Sequence, residues 1–248
     1  MYNPFSLSGK TIAVTGASSG IGKAIAIECS KMGAQVAITG RDSTRLAETY
    51  GMLEGTGHQQ IIAELNNERD IKQFTDSLPV LNGVVHCAGI TMHLPFSFTS
   101  KEKLEHIFSV NFNAPVLMTQ QLLKRKKIER NASIVFISST AGVAGTYPSG
   151  SLYSATKGAL CGIAKGMAVD LAPKKIRVNC VCPAMVQTNI LSEGAITEEQ
   201  IQKDLLRYPL RRYGKPEEVA YAVIYLLSNA SEWTTGTNLL MDGGVTLL

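Results

Sequence analysis

The chain has 248 residues, 45% of them hydrophobic and 18% charged, which is enough apolar material for a sizeable core and argues against disorder. A formal charge of +4 is a mild excess, helpful for holding an anionic cofactor but too small and too dispersed for a nucleic-acid binder. No run reaches the roughly 18 apolar residues of a membrane span, and Met1 to Lys10 lack the apolar stretch of a secretory leader. The expectation is therefore a cytoplasmic protein with no membrane or nucleic-acid partner.

Short apolar runs alternate with longer helical patterns. The runs are Thr11–Thr15, Gln35–Thr39, Gln60–Glu64, Gly83–His86, Ser133–Ser138, Arg177–Cys182 and Asn238–Met241. Several are rich in Val and Ile and apolar on successive residues, as strands buried on both faces of a parallel sheet are. The helical patterns between them are Ile21–Met32, Ser43–Leu53, Glu68–Ser77, Lys101–Lys127, Tyr153–Leu171 and Pro216–Ser228. Such alternation predicts an α/β fold: a single-domain, Rossmann-type doubly wound parallel sheet of about seven strands, with helices on both faces, over residues 1–248. The polar segment 187–213 breaks the alternation. Ligands of such sheets bind at the carboxyl ends of the strands, so this segment is a candidate substrate lid.

The first run leads into Thr15-Gly16-Ala17-Ser18-Ser19-Gly20-Ile21-Gly22 and then a helix. Glycines let a backbone turn tightly against a pyrophosphate, and the helix N-terminus stabilises the anion. The spacing is not G-x-G-x-x-G, and a plain strand–helix turn is the bland alternative. The second run ends Gly40-Arg41-Asp42. An acid at the strand end would bond the adenosine ribose and repel a 2′-phosphate. Gly40 leaves room instead, and the Arg41 guanidinium matches a phosphate in charge and shape, which favours NADP(H). NAD(H) is the alternative, with Arg41 a solvated surface residue and Asp42 in the acid's part.

Tyr153 and Lys157 stand four apart on a predicted helix and so share one face. The free phenol titrates at about 10 and the lysine at about 10.4. A nearby ammonium favours the phenolate, the positive charge of an oxidised nicotinamide does so further, and together they move Tyr153 toward the working range of a general acid/base. Alone, Tyr-x-x-x-Lys is as readily an ordinary helix edge. Ser139, or its neighbour Ser138, ends the fifth run and supplies a hydroxyl; a serine there also suits a cap or turn.

In order along nearly the whole chain, these residues resemble the short-chain dehydrogenase/reductase family. The glycine turn is similar to its TGxxxGxG element. His86-Cys87-Ala88-Gly89 stands where the family has NNAG, with both asparagines replaced. Asn111 in Ser-Val-Asn-Phe, Ser139, Tyr153-Ser154-Ala155-Thr156-Lys157 as YxxxK, and Pro183 to Thr188 as PGxxxT (with Ala184 in the glycine's place) follow. The closest flavour is that of 3-oxoacyl-acyl-carrier-protein reductases, whose typical ending Met241-Asp242-Gly243-Gly244 shares.

The resemblance implies an oxidoreductase moving a hydride between a nicotinamide cofactor and a ketone or secondary alcohol. A 3-oxoacyl thioester is the favoured substrate, with a sugar, steroid or polyol as alternatives. It implies that Ser139 bonds the substrate carbonyl, Tyr153 passes the proton, Lys157 also bonds the nicotinamide ribose, and Asn111 holds a water linking Lys157 to solvent. The implied cofactor contacts are Gly16, Ser18, Ser19, Gly20, Ile21, Gly22, Arg41, Ala88, Gly89, Tyr153, Lys157, Pro183, Val186 and Thr188. Glu64-Leu65 stands in place of the family's Asp-Val at the adenine, with Asn66 as a weaker alternative. The resemblance further implies a homotetramer, for which Lys101–Lys127 and Tyr153–Leu171 are candidate interface helices. A non-catalytic dinucleotide-binding regulator is the competing class; it would need no Ser139–Tyr153–Lys157 set.

Lys124-Arg125-Lys126-Lys127 reads as a solvated face complementing a helix dipole, or alternatively as a contact for an acidic carrier protein. His58, His86, His93 and His106 share no ligand spacing, so no metal is expected. The five cysteines, Cys29, Cys87, Cys161, Cys180 and Cys182, read as reduced thiols.

Overall fold

A computed structural model describes residues 2–188 and 197–248. Seven parallel strands form one sheet: β1 Thr11–Thr15, β2 Gln35–Gly40, β3 Gln59–Ile62, β4 Leu81–His86, β5 Ile128–Ile137, β6 Arg177–Pro183 and β7 Asn238–Met241. Their order is β3-β2-β1-β4-β5-β6-β7, so the winding reverses between β1 and β4. At such a switch point the crossovers diverge and leave a crevice beyond the strand ends.

Successive strand residues feed opposite faces. Val14, Val85, Val135 and Val181 pack under α1 Gly20–Lys31 and α8 Pro216–Leu227. Their neighbours Ala13 and Val84 meet α3 Glu68–Ser77 and α5 Ala114–Lys124, while Phe136 and Cys180 meet α6 Ser151–Leu171. Both faces are covered, which is why the strands read as continuous apolar runs. Among the described residues, no helix is long and apolar enough to cross a membrane.

The predicted helix Lys101–Lys127 is in fact three pieces: α4 Lys101–Phe108, a π-turn Ser109–Asn113, and α5. Pro115, in the first turn of α5, has no N–H for the α-helical bond to the Asn111 carbonyl, and the ladder widens there. The third strand stops at Ile62 rather than Glu64, because the Glu64 N–H turns away to the Asp70 carboxylate at 2.8 Å.

The basic run also differs from expectation. α5 ends at Lys124 and Lys126 takes a left-handed φ of 55°. The Lys127 ammonium then donates to the carbonyls of Asp76 and Leu78 at the end of α3, and Arg125 pairs with the Asp76 carboxylate at 2.6 Å. These two cations serve the C-terminus of a neighbouring helix, not a solvated face.

Within 187–213, the described part contains α7 Glu198–Leu205, and residues 189–196 lie outside the described residues. Its far end rests on the C-terminal turn: the Leu210 N–H donates to the Gly243 carbonyl at 3.2 Å, and Pro209 packs against Gly244. α2 Ser43–Tyr50 completes the helices.

Candidate active site

The carboxyl ends of β1, β4, β5 and β6 meet at the switch point. Gly16 and Gly20 hold left-handed φ values of 69° and 53°. A Cβ on Gly16 would sit 2.7 Å from the Ala88 Cα, and one on Gly22 only 2.2 Å from the Gly16 carbonyl oxygen. These contacts let the turn lie against the 88–89 segment and let α1 start close to it. The Thr15 hydroxyl joins the two strand ends by accepting from the N–H groups of Cys87 and Ala88, at 3.0 and 3.1 Å.

The start of α1, like that of α6, lacks the side-chain cap that four other helices have. Asp42, Asn67, Ser100 and Thr197 cap α2, α3, α4 and α7 with their side chains. Ser19, at the head of α1, makes no such bond, and the first turn carries no acid. The orphan N–H groups and positive dipole end of α1 therefore remain available to an anion, as a pyrophosphate requires. Ile21 packs against the core rather than toward this opening.

At the end of β2, a Cβ on Gly40 would fall 2.0 Å from the Ser18 Oγ, so the serine takes the space of a side chain there. Asp42 is committed to α2: its carboxylate accepts from the Arg45 N–H at 3.0 Å and pairs with the Arg45 guanidinium at 2.7 Å. Arg41 is exposed and has no hydrogen-bond or ion-pair partner among the described residues. Leu65 is buried in the core and Glu64 is half-buried beyond β3. On the opposite side, Pro183 ends β6, Val186 is buried and bridges to Gly214, and the Thr188 methyl would lie 3.2 Å from a Cβ on Gly20. The glycine turn thus lies against Ala88 and Thr188 and, through Ser18, Gly40, a grouping whose chemistry fits a dinucleotide, while Ile21 and Leu65 belong to the core.

Tyr153 and Lys157 project from the first two turns of α6. Ser139, just past β5, is buried; its hydroxyl accepts from the Ala141 N–H at 3.1 Å and faces the Tyr153 phenol. Ser138 does not compete for this place, since its hydroxyl donates to the Lys157 carbonyl at 2.8 Å. Burial pushes the Tyr153 phenol up, and the Ser139 hydroxyl draws it part of the way back. The buried Lys157 ammonium is itself held below its ordinary value by desolvation; it lies 5.6 Å from the Tyr153 ring centroid and donates to the Ile137 carbonyl at 2.8 Å. In the chain alone burial is the largest influence on the phenol, and the ammonium lies over the ring rather than at the hydroxyl.

Asn111 is buried, and its side chain clamps the backbone after Gly89: Oδ1 accepts from the Ile90 N–H at 2.8 Å, and Nδ2 donates to the Ile90 carbonyl at 2.9 Å and to Thr156 at 3.1 Å. Gly89 lies close beside this pair: a Cβ there would come 3.2 Å from Asn111 Oδ1 and 3.5 Å from Lys157 Nζ. His86, in an asparagine's place, is buried, stacks on Phe136 at 5.0 Å and bonds Thr119 at 2.8 Å.

The sequence left several contributors unnamed. Thr15, Thr156 and the Ile137 carbonyl act through contacts between elements distant along the chain. Tyr147 and His93 sit in irregular loops without periodicity, yet Tyr147 reaches within 6.3 Å of the Tyr153 ring.

Comparison with known proteins agrees with this geometry. A family model described as "Enoyl-(Acyl carrier protein) reductase" matches residues 16–246. An uncharacterized oxidoreductase of Thermotoga maritima is 32% identical, with 96% of this chain and 98% of the relative covered. The 3-oxoacyl-(acyl-carrier-protein) reductase FabG of Aquifex aeolicus is also 32% identical, over 96% and 98%. Among solved structures, the ligand-free aldohexose dehydrogenase of Thermoplasma acidophilum superposes with a TM-score of 0.84 at 29% identity, covering 98% of this chain and 96% of that one. With its glycine turn, its Ser139–Tyr153–Lys157 group and relatives matched over nearly full length, the chain belongs to the short-chain dehydrogenase/reductase family, oxidoreductases that act on ketones and secondary alcohols with a nicotinamide dinucleotide.

Proposed function

We propose that this protein is an NADPH-dependent reductase of a 3-oxoacyl thioester. The observation that carries the reading is the buried Ser139 hydroxyl facing the Tyr153 phenol, one helical turn from Lys157 and beside the uncapped N-terminus of α1. Ser139 donates to the substrate carbonyl oxygen and fixes it beside Tyr153. As negative charge develops on that oxygen, Tyr153 hands over its proton, which the raised phenol holds until it is needed. Lys157 supplies a buried positive charge under the ring and, with the Ile137 carbonyl, keeps it in place. When bound, the nicotinamide supplies the hydride and, once oxidised, a positive charge that favours the phenolate. Uncommitted Arg41 beside Gly40, with Asp42 tied to Arg45, supports a 2′-phosphate and hence NADP(H) over NAD(H).

The FabG relatives support an acyl-thioester substrate, delivered by an acidic carrier protein; the aldohexose dehydrogenase supports a sugar as the second reading. Residues 1–248 act as one dinucleotide-binding and catalytic domain, with 187–213 over the substrate. Five unpaired cysteines suit the reducing cytoplasm. The test follows NADPH oxidation by the purified protein over a panel of 3-oxoacyl thioesters, simple ketones and aldoses. Turnover on a 3-oxoacyl thioester is expected, with Tyr153→Phe losing about 10²–10⁴-fold in kcat while cofactor affinity holds. Tight cofactor binding with no turnover on any ketone would make the protein a regulator instead.

A further inference from the structure

Beside Ser139 and Tyr153 lies an aromatic pair that the reaction as derived leaves unused. The Tyr147 ring centroid is 6.3 Å from that of Tyr153 at 42°, and the His93 ring is 5.3 Å from Tyr147 at 39°. The three rings form a row that leads from the acid/base phenol toward exposed His93 on the loop after β4.

Tyr147 is held in this row from several sides. Its ring packs tightly on Gly150, where a Cβ would come 2.7 Å from Tyr147 Cε2. The Gly150 N–H donates to the Tyr147 carbonyl at 3.0 Å, and Ser149 closes the turn at a left-handed φ of 64°. The preceding residue, Thr146, is pinned to α6 through Ser154 at 2.7 Å. The Ser149 carbonyl accepts from the Leu94 N–H at 2.9 Å, which ties the His93 loop to the Tyr147 turn. Ring placement is therefore fixed before any substrate arrives. The Tyr147 hydroxyl nevertheless has no hydrogen-bond partner among the described residues. Half-buried as it is, its phenol is pushed up to about 12, so it stays a protonated donor at every working pH.

The Tyr147 ring, 6.3 Å from that of Tyr153, neighbours the substituents of a ketone whose oxygen is held by Ser139 and Tyr153. A fixed, unspent hydroxyl in that position discriminates by what it bonds: it gains from a substrate oxygen and is left unpaired by a hydrocarbon. We propose that Tyr147 is a specificity-determining residue that donates to a second oxygen borne close to the reacting carbon, with His93 holding its ring in place. The inference rests on the reductase reading above and deepens it. The shared chemistry is an oxygenated ketone, whether the second oxygen is an acyl carbonyl or a sugar hydroxyl.

The experiment compares kcat/KM of wild type, Tyr147→Phe and His93→Phe on three probes: ethyl acetoacetate, hydroxyacetone and 2-pentanone. Tyr147→Phe keeps the ring and removes the donor. The expected result is a loss of about 10–100-fold on whichever oxygenated ketone wild type prefers, with 2-pentanone changed by less than about 2-fold. His93→Phe, which keeps a ring beside Tyr147, is expected to preserve the preference. Preference for ethyl acetoacetate assigns the acyl carbonyl, and preference for hydroxyacetone the hydroxyl. Equal losses on all three probes, or none on any, would overturn the role of Tyr147 while leaving the reductase intact. No turnover by wild type on any of them, or on the thioester panel, would instead bring down the reductase reading, and this inference with it.

Discussion

Arg41 carries a charge and His86 refuses one, and each yields a test. Arg41 is exposed and unpaired among the described residues, whereas its neighbour Asp42 is used up as the cap of α2. Arg41→Ala is expected to weaken NADPH about 10–100-fold, as loss of a charge-assisted phosphate contact should, and to leave NADH nearly unchanged. Calorimetric titration of both cofactors checks this, and an equal effect on the two would remove the phosphate assignment. His86 is a buried neutral imidazole whose titration burial pushes down to about 3 from 6.5. Its folded state refuses a proton that the unfolded chain accepts, so stability is intact above about pH 6.5 and falls as the pH drops toward 3. The slope is about 1.4 kcal/mol per pH unit for one proton. Urea melts of wild type and His86→Gln between pH 7 and 4 should differ by that slope; parallel curves would mean that His86 is protonated in the fold. The motif residues were legible in the sequence because backbone geometry and proton chemistry restrict them to few residue types. The role of His86 was not, because it depends on Phe136 and Thr119, fifty and thirty-three positions away.

Elements carried less of their detail in the sequence. Periodicity located α1, α3, α6 and α8 to within a few residues, but it continued smoothly through Ser109–Asn113, where the structure has a π-turn. Apolar spacing does not register which carbonyl lacks a donor, and only Pro115 signalled the break. That turn brings Asn111 to Ile90 and Thr156, so a local irregularity positions the site. The basic run is a second instance: its charges read as a solvated face until α3 is packed beside them. Lys127→Ala should remove two hydrogen bonds to the last carbonyls of α3 and cost about 1–2 kcal/mol, whereas Lys124→Ala, exposed at the end of α5, should stay within about 0.5 kcal/mol. Denaturant midpoints with unchanged m-values would read this difference, and equal effects would deny Lys127 its capping role.

At the scale of the whole molecule, the helices proposed for subunit contacts present apolar side chains outward: Leu104 on α4, Leu117 on α5 and Val169 on α6. Sedimentation equilibrium is expected to give about four times the chain mass of 26.7 kDa, as a tetramer requires. A monomer at micromolar concentration would remove the tetramer. By itself the sequence determined the fold class, the glycine turn and the residues proposed for proton transfer, because strand burial, tight turns and acid/base chemistry each leave a local or periodic trace. Only the tertiary structure decided that burial is the largest influence on the Tyr153 phenol, that Asn111 clamps a loop, that Lys127 serves a foreign helix and that Tyr147 stands beside the phenol. Each of these depends on which atoms the folded sheet brings together from distant parts of the chain, and on how much water it excludes there. No residue's own neighbours in sequence encode either.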